Sequence, residues 1–145
     1  APVTELSSLA EVSKRVPRAF ICLLSALQVH GMTSEAPRAV WVLIDRHART
    51  PRVTSPTIEV VRASGRALAD GVETRVIDGV RVSITTPAKT VADCFRFRRH
   101  VGLEVALAAL KDYLRKRVGT IDALVDAAHA DRTYAFMRPY LEALA

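Results

Sequence analysis

The stretch "VETRVIDGVRVSITT", residues 72–86, leaves the backbone little choice. Two runs that alternate apolar and polar residues flank one Asp78-Gly79 pair. Asp-Gly tolerates the positive φ angles of a two-residue type I′ turn, so the segment is predicted to be a β-hairpin. Val72, Thr74 and Val76 are assigned inward with Val80, Val82 and Ile84. Glu73, Arg75, Arg81 and Ser83 are assigned to solvent. A hairpin with one wet face must lie on an antiparallel sheet that buries its other face on something else.

The remaining segments supply that something. "LSSLAEVSKRVP" predicts a short helix from a cap at Ser8 to about Pro17. "PRAFICLLSALQVHG" is apolar nearly all round and predicts a buried helix, with Pro17 in its first turn and Gly31 at its C-terminal cap. "AVWVLID" (39–45) and "TIEVVRAS" (57–64) read as strands joined by a basic loop, and "RALADG" (66–71) as one helical turn closed by Gly71. From residue 87 onward the apolar period is helical throughout, with Thr120 as a cap. The expected fold is α+β: a small, mostly antiparallel sheet packed on one face by helices concentrated in the C-terminal half. Residues 1–16 are expected to connect to an upstream region, because the chain opens at Ala-Pro-Val without methionine; residues 17–145 form the domain.

Twenty-one Lys and Arg against 15 Asp and Glu leave a formal charge of +6, which favours an acidic partner. No apolar run reaches the roughly 18 residues of a membrane span, and no signal peptide is visible. Cys22 and Cys94 lie in apolar contexts without Cys-x-x-Cys spacing, which predicts buried thiols in a reducing, cytoplasmic setting.

"TTPAKTVADCFRFRRH" (85–100) carries the sharpest question. Thr86 suits an N-cap and Pro87 the first helical position. Lys89 is out of place, because a helix dipole disfavours a cation in the first turn. Either Lys89 and the neighbouring N–H groups bind a phosphate, or Lys89 pairs with Asp93 or strand-end carbonyls and fixes the helix to the sheet. Arg96, Arg98, Arg99 and His100 form either a solvated basic helix end or a phosphate-tracking patch. Arg46, His47, Arg49 and Arg52 line the loop after the first predicted strand, and Arg62 and Arg66 are placed nearby as further nucleic-acid or partner contacts. No aromatic residue interleaves them, which argues against stacking on single strands. Ser25 and His30 lack an orienting acid, so they make no nucleophile pair. His30, His47, His100 and His129 lack metal-ligand spacing, and neither a metal nor a cofactor is expected. Asp45 and Glu59 sit on successive strands, as in magnesium-dependent nucleases, but the lysine such sites use is missing.

The combination of "LSSLAEVSKRVPRAFICLLSALQVHGMT", "PRAVWVLIDR", the hairpin, and "TPAKTVADCFRFR" followed by "GLEVALAALKDYL" resembles the C-terminal domain of AbiEi-type antitoxins. These are transcriptional regulators of type IV toxin–antitoxin systems, which act in abortive infection as a defence against phage. The resemblance runs from about Leu6 to Leu144. Its most specific pieces are Ser25-Ala26-Leu27 with His30-Gly31, and Thr86-Pro87 with Lys89-Thr90-Val91-Ala92-Asp93. It implies a non-enzymatic domain that neutralises a nucleotidyltransferase-like toxin, without the stable complex typical of type II systems. An upstream winged helix-turn-helix, absent from this chain, would carry sequence-specific DNA binding. Two other readings stand beside it: a degenerate nuclease-like enzyme using Asp45 and Glu59, and a dimerisation module.

Overall fold

The computed structural model describes residues 2–33 and 36–145. In chain order the elements are α1 (Pro2–Arg15), β1 (Phe20–Ile21), α2 (Leu23–Val29), β2 (Val40–Asp45), β3 (Ile58–Ala63), α3 (Arg66–Ala69), β4 (Val72–Ile77), β5 (Val80–Thr85) and then five helices. Those are α4 (Pro87–Arg96), α5 (Arg98–Val101), α6 (Leu103–Lys116), α7 (Ile121–Ala130) and α8 (Tyr134–Leu144). The fold class is α+β, as the sequence implied.

The strands form one sheet in the order β3-β2-β1-β5-β4. It is mixed rather than mostly antiparallel. β1 runs antiparallel to β2, and β4 to β5, but β2–β3 and β1–β5 are parallel pairs. The basic loop over residues 46–57 accounts for the first parallel pair. A parallel neighbour needs about a dozen residues to return the chain to the starting end of the sheet, and this loop supplies them.

Helices also cover both faces, not one. Val40, Val42 and Ile44 of β2 join Ile21, Val82 and Ile84 against Leu9 and Val12 of α1. On the opposite side of β2, Leu43 joins Val61, Cys22, Leu27, Phe95, Leu110 and Met137 in the larger core. Alternation along β2 therefore feeds two cores at once. α1 consequently does more than connect: Val12 is fully buried, and the helix is already running when it reaches Ser8, which is no cap.

Two local readings are overturned. Residues 17–31 do not make one helix. Phe20 and Ile21 form the central strand, with Ile21 paired to Val42 on one side and Ile84 on the other. Pairing on both edges overrides the helical period of so short an apolar run. The chain then turns sharply, with Cys22 extended and Leu23 at φ +48, into α2. The hairpin forms as expected, with Asp78 at φ +51 and Gly79 at φ +75. Its faces, however, are set by the turn, which pairs Ile77 with Val80 and hence Val76 with Arg81 and Arg75 with Val82. Directly paired residues share a face. Val76 therefore lies beside Arg81, exposed, and Glu73 beside the buried Ile84.

Gly71 joins α3 to β4 at φ +75 and accepts the N–H of Thr86 on its carbonyl at 2.8 Å. A Cβ there would stand 2.9 Å from the Lys89 Cβ and 3.2 Å from the Thr86 Oγ1. Gly79 has the same φ and open space around it. Gly71→Ala is therefore expected to lower stability by well over about 1 kcal/mol, and Gly79→Ala by about 1 kcal/mol from backbone strain alone. Urea melts of the two variants check the order; equal losses would show that the contact with Lys89 is not tight.

Candidate functional site

Thr86 caps α4, its hydroxyl accepting the Lys89 N–H at 3.3 Å, and Pro87 occupies the first turn. That start aims the first turn of α4 into the protein, so Lys89 is only 2% exposed. Its ammonium donates to the Ala67 carbonyl at 2.5 Å and to Asp93 Oδ1 at 3.1 Å, and lies 3.5 Å from Asp131 Oδ1. Three segments thus meet on one cation: α3 through Ala67, α4 through Asp93, and the end of α7 through Asp131. Of the two readings of Lys89, the geometry is that of the internal pair.

Two carboxyls face this one ammonium. Burial, followed by the neighbouring Asp131 carboxyl, pushes Asp93 well above the usual carboxylate range, and Lys89 offsets only part of that. Asp93 Oδ2 and both Asp131 oxygens receive no hydrogen bond from the described residues. A proton retained on Asp93 supplies the missing donor between the two side chains and brings the charge of the trio to balance. Arg96 closes the arrangement from outside, donating to the Asp131 carbonyl at 3.0 Å.

The other signature residues surround this centre. Thr90 donates to the Thr86 carbonyl at 2.7 Å and lies 2.6 Å from the Thr85 hydroxyl. His30, at the end of α2, sits 2.7 Å from the Thr85 carbonyl through Nε2. A carbonyl only accepts, so Nε2 carries the proton and Nδ1 is left to accept from Arg75 at 3.4 Å. Burial first, opposed by the Thr85 hydrogen bond, lowers the His30 pKa. Ser25 accepts the Trp41 N–H at 3.0 Å and pins α2 to β2. Gly31 takes φ +69 and presents its carbonyl to the Lys116 ammonium at 2.7 Å. His30 is thereby tied to the residue before Thr86–Asp93 across 55 positions, while Ser25 and Gly31 are tied to β2 and α6.

The basic residues divide. Arg62 donates to the carbonyls of Asp45, Arg46 and Ala48 and to the Thr50 hydroxyl, so it braces the loop rather than facing outward. Arg66 is held by Asp70 and Asp126. Arg98 donates to the Phe95 carbonyl and lies 3.8 Å over the Phe136 ring. Arg46, His47, Arg49 and Arg52 remain exposed on the loop, as does Arg99 at the helix end. Asp45 and Glu59 are not brought together. Glu59 pairs with Trp41, four residues before Asp45 on the same strand, which puts them about 13 Å apart. Among the described residues no three His, Cys, Asp or Glu side chains could hold a metal ion, and no helix is long and apolar enough to cross a membrane. Cys22 and Cys94 are free and fully buried, and burial pushes both thiols up.

Sequence reasoning missed Asp131 and Ala67. Asp131 caps the end of α7 in the polar run "HADRT", where an acid has no local feature marking it as a partner of Lys89. A comparison with protein-family models and with curated proteins found no match for the chain.

Lys89→Met leaves two buried carboxyls without their cation and is expected to lower stability by about 3–5 kcal/mol. Asp93→Asn keeps an acceptor for Lys89 and a donor for Asp131, and is expected to be far milder. The raised pKa of Asp93 means its contribution to stability is full below the ordinary carboxylate pKa and is lost as pH rises through the folded value. Urea midpoints across a pH series should therefore fall less steeply toward high pH in Asp93→Asn than in the parent. Parallel curves would show that Asp93 does not hold its proton.

Proposed function

We propose that the chain is a non-enzymatic antitoxin domain of the AbiEi type. The observation that carries this reading is the convergence of the two most specific segments of the resemblance, Ser25–Gly31 and Thr86–Asp93. The hydrogen bond between His30 and the carbonyl of Thr85, the residue before Thr86, links one to the other, and Lys89 and Asp93 are buried. A signature whose residues are used up in holding the frame fits a domain whose family assigns it no catalytic role. The separation of Asp45 from Glu59 weighs against the nuclease reading.

In this reading the partner is a nucleotidyltransferase-like toxin antagonised without a stable complex, and the upstream winged helix supplies DNA specificity. Arg46, Arg49 and Arg52 add weak, sequence-independent attraction to phosphates. Arg62 supports that role indirectly, since it keeps the loop that displays them in one conformation.

Co-expression with the gene adjacent to this one is expected to relieve that gene's toxicity; a harmless neighbour, or toxicity that persists beside the folded chain, overturns the antitoxin reading. DNA binding by the isolated chain is expected to be weak and indifferent to sequence. With three phosphate contacts, log K should fall with log salt at a slope of about −3. Nanomolar, sequence-selective binding would place specificity in this domain instead.

A further inference from the structure

The sheet ends at β4, whose residues Thr74, Arg75 and Val76 are exposed, Val76 to 69%. Its ladder with β5 runs from Val72 to Ile77 without a bulge, and the strand holds neither proline nor lysine. Backbone direction alternates along an antiparallel pair. Gly71 turns its carbonyl toward the β5 side, where it accepts the Thr86 N–H. Glu73, Arg75 and Ile77 follow it, so Val72, Thr74 and Val76 direct their N–H and C=O groups off the sheet. No backbone bond to a described residue occupies those groups. An open edge of this kind is a template for another strand.

The residues of that edge say which strand fits. Val72 to Val76 reads Val-Glu-Thr-Arg-Val, apolar at both ends, with an acid and a base on either side of a central threonine. Glu73 and Arg75 would blunt the edge against most strands; against a copy of itself they do the opposite. Antiparallel pairing about Thr74 sets Val72 opposite Val76 of the second copy, Glu73 opposite its Arg75, and Thr74 opposite its Thr74. The outward N–H and C=O groups of Val72, Thr74 and Val76 then meet one another. Within one chain Arg75 already lies 3.2 Å from Glu73, with both side chains partly in solvent. Pairing merges two such ion pairs into one group of four alternating charges. Bonding groups can meet again only after a slip of two residues. One such slip sets Glu73 against Glu73, the other Arg75 against Arg75, and like charges directly opposite destabilise a sheet. A single register is therefore favoured.

We propose that β4 is a self-association edge, through which two copies of the chain pair antiparallel over Val72–Val76 about a two-fold axis at Thr74. The contact is isologous and closed: each copy spends its β4 edge on the other, and one continuous sheet runs through both. One short strand pair is a small interface, so the dimer is weak and reversible. It holds whether or not the chain is an antitoxin.

Sedimentation velocity of the chain from about 10 µM to about 1 mM is expected to show a monomer–dimer equilibrium with no larger species. Glu73→Arg and Arg75→Glu each set like charges opposite one another at both charged positions of the homodimer. Each should weaken it by at least about tenfold. Mixed in equal amounts, the two variants place acid against base again, and a heterodimer close in affinity to the parent dimer is expected. That rescue also shows that both variants are folded. Monomer at every concentration, species beyond the dimer, variants that associate as the parent does, or a mixture that stays monomeric would overturn the proposal.

Discussion

The structure is organised around one desolvated ammonium. Removing Lys89 from water costs on the order of several kcal/mol, which only close acceptors and opposite charge can offset. Ala67, Asp93 and Asp131 must therefore reach it together, and each arrives on a different segment. Their convergence fixes much of what surrounds it. α3 is pulled against the start of α4, Gly71 is left with no space for a side chain, and the end of α7 is anchored again through Arg96. A charge is a demanding anchor, because its partners must sit at particular distances. An apolar contact in the same place would tolerate sliding.

What the sequence revealed and what it concealed separate by the range of the interactions. The Asp78-Gly79 turn and the caps at Thr86 and Thr120 depend on a few adjacent residues, and all three are where the residue types put them. β1 is invisible locally, because "FI" becomes a strand only through neighbours on both edges that come from distant parts of the chain. The faces of β4 were misread for a related reason: a two-residue turn dictates register, and register outranks the apolar pattern of an edge strand. At the centre, the pairing of Lys89 with Asp93 was legible from spacing within one helix. Asp131 was not, since nothing in its own surroundings marks the lysine it serves.

The basic surface follows the same division. Composition announced an excess of positive charge, but six of the arginines divide among four different jobs. Arg62 braces a loop, Arg66 spans two acids, Arg96 and Arg98 bind carbonyls, and Arg49 and Arg52, like Arg46 and Arg99, are exposed. A count of charges overstates the surface that a polyanion would meet.

The central strand has a consequence of its own. β1 is two residues long, yet it alone joins the β3–β2 half of the sheet to the β5–β4 half. The sheet is thus two short ribbons with a narrow isthmus, and its backbone hydrogen bonds contribute little to making them one body. Mechanical unity comes from the layers above and below: α1 touches β2 on one side and β4 and β5 on the other, and α2 contacts β2, β5 and α4. Local opening in this protein is therefore governed by when the helices let go, and the seam at Phe20–Ile21 parts with them.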